Sequence, residues 1–230
     1  MHVADPHALR VVMLGTKDFA LPTLASLLDA KLTVVALFTQ PDRPQGRKQE
    51  LIPAAIKRLA IERCVPVEQP EDVNAPEGVE RVRAYVPDLL VTAAYGQILS
   101  AELLAVPRLG GINLHGSILP AYRGAAPVAR AIQRGERETG VTVIRMSPRV
   151  DAGGTLLVAR TPIGPDETAG ELEARLAVIG APLVVEAINA LAQGRAEAIP
   201  QDRSLVTKAP KLSKLDGQID WTRPAAEIHN

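Results

Sequence analysis

Residues 9–40 read LRVVMLGTKDFALPTLASLLDAKLTVVALFTQ, and the order of textures in that stretch decides the fold. Apart from Arg10, residues 9–15 are apolar without alternation, the mark of a strand buried on both faces, and they end at Gly15. Asp18 stands where a carboxylate caps a helix, expected over residues 19–30, and residues 31–40 form a second continuous apolar strand. Strand, helix and strand in this order imply a parallel pair with a crossover helix. Gly15 falls at the strand-to-helix turn. It is one glycine where a dinucleotide site has three spaced ones, and no Gly-Lys-Ser/Thr follows, so it reads as a tight turn rather than a nucleotide site.

The alternation continues outward. Helices are expected at residues 53–64, 77–86, 100–106 and 124–136, and apolar strands at 65–69, 87–96 and 110–117. Two further strands, at 140–147 and 155–163, are joined by PRVDAGG (148–154) and suit an antiparallel extension of the sheet. Residues 168–194 read as a long helix interrupted at Gly180 to Pro182. The fold class is therefore α/β, a mostly parallel sheet with helices on both faces. Beyond residue 195 the sequence turns to mixed charge and proline with little periodicity. Residues 1–195 are expected to form the main domain, 196–214 a linker, and 215–230 the start of a truncated C-terminal domain.

Composition narrows the partners. Lys plus Arg number 26 and Asp plus Glu 26, so no overall field draws the chain to nucleic acid, and an anionic partner has to be met by local patches. The aromatics are few and scattered, which argues against a stacking platform for single-stranded RNA. Cys64 is the single cysteine, so an internal disulfide is excluded; with only four histidines, so is a Cys/His zinc cage. A buried position is expected for Cys64. The first ten residues contain no apolar stretch, and no run of about 18 uncharged apolar residues occurs anywhere, so neither a signal peptide nor a membrane span is read and a cytoplasmic location is expected.

Asn113 and His115 are two apart on an expected strand, so their side chains share a face near its carboxyl end, where open α/β sheets place their ligands. His2, His7 and His229 lie at the chain's ends, which leaves His115 as the one imidazole in its body. Asp151, in the loop after the next strand, is placed to reach His115 and hold it as imidazolium. Asn, His and Asp without a Ser or Cys in a nucleophile elbow suit stabilising an oxyanion and moving protons better than covalent catalysis. The plain alternative is a hydrogen-bonded core histidine with Asn113 as its partner and an ordinary Asp in a glycine turn. The readings differ in one respect: whether the three side chains converge.

INLHGSILPAYRGAAP (112–127) together with VDAGG (150–154) resembles the folate-dependent formyltransferases. GTKDFALPTL, FTQPDRPQGR, AYGQILS, RGAAPVARAI, ETGVTVIRM and KLSKLDGQIDW extend the likeness over essentially the whole chain, and specifically to the members that act on methionyl initiator tRNA. The resemblance implies a Rossmann-like catalytic domain that transfers formyl from 10-formyltetrahydrofolate to the amine of methionyl initiator tRNA. It also implies a C-terminal β-barrel domain, absent from this chain, that helps hold the tRNA. Asn113, His115 and Asp151 match the catalytic trio. Ser117, Ile118, Leu119 and Pro120 match a tetrahydrofolate-binding turn, with Ile118 where Leu is usual, and Tyr95, Gly96, Gln97, Ile98 and Leu99 match the wall of the pterin pocket. Arg43, Arg47 and Lys48 fall in the loop that meets the tRNA acceptor end, where Glu50 departs from the family's basic pattern. No metal and no membrane are implied, and a monomer is expected. The same trio serves other acceptors: an amino sugar, glycinamide ribonucleotide, or water in a 10-formyltetrahydrofolate hydrolase.

Overall fold

The structure is a computed structural model in which residues 5–45 and 50–230 are described. In chain order the elements are β1 (Arg10–Gly15), α1 (Leu21–Asp29), β2 (Thr33–Phe38), the short pair β3 (Pro44–Gln45) and β4 (Glu50–Leu51), α2 (Ala55–Glu62) and β5 (Val67–Glu68). There follow α3 (Pro76–Ala84), β6 (Leu89–Ala93), α4 (Ala101–Leu104), β7 (Gly111–His115), α5 (Pro127–Gln133), β8 (Glu138–Arg145), β9 (Thr155–Pro162), α6 (Ala169–Ala192) and α7 (Ala225–His229). A seven-stranded sheet runs in the order β5-β2-β1-β6-β7-β8-β9. Its first five members are parallel, and β8 and β9 extend it antiparallel, as the sequence implies. The order reverses between β1 and β6, the point where a doubly wound sheet opens a crevice.

The unbroken apolar texture of β1 follows from cover on both faces. Val11 and Met13 pack with Leu24, Leu27, Leu176 and Ile188, while Val12 and Leu14 pack with Val79, Val82 and Leu103 on the other side. Gly15 allows the tight turn: a Cβ there would lie 2.7 Å from Ala20 Cβ and 3.2 Å from the Ala93 carbonyl.

Four local expectations are corrected. Asp18 does not cap α1; residues 18–20 form a 3-10 turn, and Pro22 in the first turn of α1 has no N–H to cap. Cys64 is exposed, because it closes α2 in the left-handed conformation (φ 56°) and the next residue, Val65, turns into the core instead. The helix expected from residue 124 begins at Pro127. The long helix is not interrupted: α6 runs 24 residues through Pro182, and Gly180 serves close packing, since a Cβ would meet the Leu114 side chain at 2.7 Å. Burial of Leu172, Leu176, Val184, Ile188 and Leu191 along one face holds the helix through its proline. By length and composition α6 is apolar enough to cross a membrane, but that apolar face is part of the core.

The segment expected to be a linker is docked. Ile199 pairs with Thr155 as an isolated antiparallel bridge, Lys208 pairs with Arg123, and Ala209 is fully buried. Arg130 then fixes the segment through the Pro210 carbonyl at 3.0 Å and an ion pair with Asp216. Little apolar periodicity is needed for this, because the segment is held by backbone pairing and by polar side chains such as Gln201, Thr207 and Arg130.

Candidate active site

At the carboxyl ends of β1, β6 and β7 lies a cavity of about 610 Å³ lined by Lys17, Phe19, Thr92, Tyr95, Asn113, His115 and Asp151 among others. A larger hollow of about 790 Å³, between α5, the loop before α6 and the C-terminal segment, contains none of the three candidate catalytic residues. The three side chains therefore do converge, on the smaller cavity.

Asn113 is positioned by sheet register. It pairs with Thr92 of β6, whose hydroxyl donates to Asn113 Oδ1 at 2.7 Å. With Oδ1 occupied, the Nδ2 amide is left as a donor at the cavity. Two residues on, at the end of β7, His115 is 5% exposed. Its Nε2 lies 2.9 Å from the Tyr122 carbonyl, and since a carbonyl only accepts, Nε2 carries a proton. Its Nδ1 faces Asp151 Oδ1 at 3.6 Å, an electrostatic pairing longer than a hydrogen bond. The other carboxylate oxygen of Asp151 accepts from the Gly124 N–H at 2.9 Å.

Backbone strain gathers here. Lys31, Cys64 and Val86 have positive φ just beyond the ends of helices, but Ala94, Tyr122 and Asp151 have it around the cavity and its supports, at 43°, 62° and 48°. Gly124 (φ 125°) admits no side chain, because a Cβ would meet the Ala209 carbonyl at 2.7 Å; its bare backbone lets the docked segment close over the N–H that serves Asp151.

Residues 95–99 all line the cavity. The Tyr95 hydroxyl is buried without a hydrogen-bond partner among the described residues; burial, with a smaller effect from Asp72, pushes its pKa well up and keeps it a neutral donor. Gln97 turns its amide outward to the Glu71 carbonyl and the Val73 N–H, both at 2.9 Å, and so braces the wall. Ser117, Ile118, Leu119 and Pro120 form the turn directly after β7, and the residues lining this cavity do not include them. Thr142, the cross-strand partner of His115, captures the turn by donating to the Ser117 carbonyl at 2.7 Å and accepting from the Leu119 N–H at 3.1 Å, which makes it a buttress behind the histidine. Arg43 lies away from the cavity, exposed and paired with Glu71 at 3.0 Å; Arg47 and Lys48 are outside the described residues. Sequence reasoning missed Thr92, the Tyr122 carbonyl and the Gly124 N–H. Only Thr92 left a signal, a hydroxyl at the end of the strand expected beside Asn113.

The sequence profile of the formyl transferase family matches residues 9–188. The chain belongs to that family. It is 50% identical over 220 residues to the methionyl-tRNA formyltransferase of Pseudomonas syringae pv. tomato, an alignment covering 96% of this chain and 70% of that protein. Among solved structures it is similar to the sugar 3N-formyl transferase WlaRD, crystallised with dTDP and 5-N-formyl-THF (TM-score 0.73, 18% identity, 97% of this chain and 77% of that one). It is also similar to glycinamide ribonucleotide transformylase 1 from Symbiobacterium toebii (TM-score 0.70, 22% identity, 86% and 96%). At those identities the two structures establish the shared fold, the formyltransferase arrangement of a Rossmann-like sheet.

Proposed function

We propose that the protein transfers the formyl group of 10-formyltetrahydrofolate to the free amine of methionyl initiator tRNA, with Asn113, His115 and Asp151 as its catalytic residues. The observation that carries the chemistry is the convergence of those three side chains on one cavity. The choice of acceptor rests on relatives of that activity at about half identity over nearly the whole chain.

The cavity suits the donor: its wall at residues 95–99 sets apolar surface from Tyr95, Ile98 and Leu99 beside the Gly96 and Gln97 backbone, a lining that a flat, partly polar ring can pack against. The donor supplies an activated formyl carbon. Asn113, its Oδ1 held by Thr92, directs Nδ2 at the position where negative charge develops on the formyl oxygen. His115, fixed by the Tyr122 carbonyl through Nε2, offers the Nδ1 edge beside Asp151 for the proton leaving the attacking amine. Asp151 stabilises the imidazolium formed and, with it, returns the proton toward the departing nitrogen. His115 thus acts chiefly in proton transfer. Of the two oxyanion donors that the residue types suggest, Asn113 is the one whose N–H has no partner among the described residues before the proton moves.

The test is folate release followed by absorbance with methionyl initiator tRNA, free methionine, glycinamide ribonucleotide, a nucleotide-linked amino sugar, or no acceptor. Rapid release with the tRNA alone, and formylmethionine recovered from it, is expected. Release at the same rate without acceptor would make the protein a hydrolase instead.

A further inference from the structure

Asp151 is not held in place by the histidine it serves, because the 3.6 Å gap between them is too long for a hydrogen bond. It sits at φ 48° in a loop, a conformation that neighbouring structure has to enforce. That structure comes from 50 residues further along the chain. Ile199 and Thr155 exchange backbone hydrogen bonds at 2.8 and 2.9 Å, and this antiparallel register carries the chain back so that Gln201, two residues on, lies over Gly153 and Asp151. The Gln201 Nε2 donates both of its hydrogens, to the carbonyls of Asp151 (2.8 Å) and Gly153 (2.7 Å). Its Oε1 accepts two bonds from the Arg123 guanidinium, at 3.0 and 2.6 Å. Carbonyls only accept and a guanidinium only donates, so the amide has one possible orientation.

Arg123 stands between the two groups that complete the site: the Tyr122 carbonyl, which fixes His115 Nε2, and the Gly124 N–H, which binds Asp151 Oδ2. The Arg123 backbone is held in turn by Thr207 and Ala209, at 2.9 and 2.7 Å. The Gln201 amide therefore joins the loop bearing Asp151 to the turn that supports both His115 and Asp151.

We propose that Gln201 is a positioning residue for formyl transfer, setting the separation of Asp151 from His115 by clamping the 151–153 loop to Arg123. It acts through Asp151, so the proposal rests on the catalytic reading of that residue. A displacement of about 1 Å at a reacting group can slow a reaction ~10²-fold, so loss of the clamp is expected to show in kcat and not in donor binding.

The experiment is a double-mutant cycle on the full chain, with kcat and donor KM measured for wild type, Gln201→Ala, Asp151→Asn and the double variant, using methionyl initiator tRNA as acceptor. Gln201→Ala is expected to lower kcat about tenfold or more with donor KM changed less than about twofold, and to have less than a twofold further effect once Asp151 is Asn. Gln201→Glu keeps the side-chain size and the acceptor for Arg123 but loses the two donors; it is expected to behave like Gln201→Ala and replaces it in the cycle if the alanine variant does not fold. Equal factors in both backgrounds, or a lowered melting temperature with unchanged kcat, would overturn the role assigned to Gln201. If Asp151→Asn alone leaves kcat unchanged, it is the catalytic reading of Asp151 that fails, and the clamp falls with it.

Discussion

Asn113 is carried by a strand and Asp151 by a loop, yet both reach the same cavity. Asn113 needs only its neighbour in register: β6 and β7 pair in parallel, and Thr92 arrives beside it with a hydroxyl. Asp151 needs a left-handed backbone, a glycine whose N–H binds its carboxylate, and a segment returning from the far end of the chain. Regular hydrogen bonding places a side chain through local sequence, whereas an irregular loop places one only through distant contacts. The strand-borne residue is therefore expected to tolerate changes elsewhere in the chain that the loop-borne one does not.

The largest expected effect lies on the strand side. Asn113→Ala removes the proposed oxyanion donor and should lower kcat by on the order of 10² to 10³, with donor KM nearly unchanged, as steady-state kinetics would show. A loss confined to KM would place Asn113 in ground-state binding and erase its half of the comparison. Asp151→Asn is expected to follow at roughly 10²-fold, the lower end for an acid–base partner, and to alter the pH dependence of kcat because the new amide cannot balance an imidazolium. An unchanged profile would separate Asp151 from the histidine.

Thr92→Val sharpens the contrast. It keeps the strand and the volume but frees Asn113 Oδ1, so kcat should fall about fivefold, the equivalent of one lost neutral hydrogen bond of ~1 kcal/mol, with the melting temperature little changed. No kinetic effect would mean that register alone orients Asn113.

The smallest expected effect concerns the docked segment. The Arg130 guanidinium, helped by Ser213, holds the Asp216 carboxyl well below the usual carboxylate range. A folded-state pKa below the unfolded value of about 3.9 contributes stability above that pH and loses it as the pH falls toward the folded pKa. Arg130→Met should therefore lower the melting temperature modestly at about pH 6, with the difference from wild type shrinking below about pH 4. A difference that stays constant across this range would show that Arg130 acts through its carbonyl contacts instead.

Much of this was legible in the sequence, for reasons the strands make plain. Apolar runs buried on both faces declared the parallel sheet, and the rule that such sheets bind at their carboxyl ends picked out Asn113 and His115 without coordinates. What escaped notice depended on single close approaches or on backbone partners. Gly180 looked like a helix break, but it is where α6 rests on Leu114. Cys64 looked like core, yet the left-handed turn at that position puts the following valine inside. Residues 196–214 looked like a linker because their contacts with the domain use main-chain groups and a few isolated side chains, Gln201, Thr207 and Ala209, which leave no periodic trace. The Ser117 to Pro120 motif stood out in the sequence, but its anchoring did not: Thr142 bonds the Ser117 carbonyl and the Leu119 N–H from the neighbouring strand, a contact between side chain and backbone that leaves no pattern.

The central claim is that His115, held between the Tyr122 carbonyl and Asp151, moves the proton in formyl transfer. Single-turnover transfer to methionyl initiator tRNA by His115→Ala, at saturating donor, tests it most directly. The account predicts a rate at least ~10²-fold below wild type with donor affinity within about twofold. A rate within about threefold of wild type, or a loss found entirely in donor affinity, would contradict it.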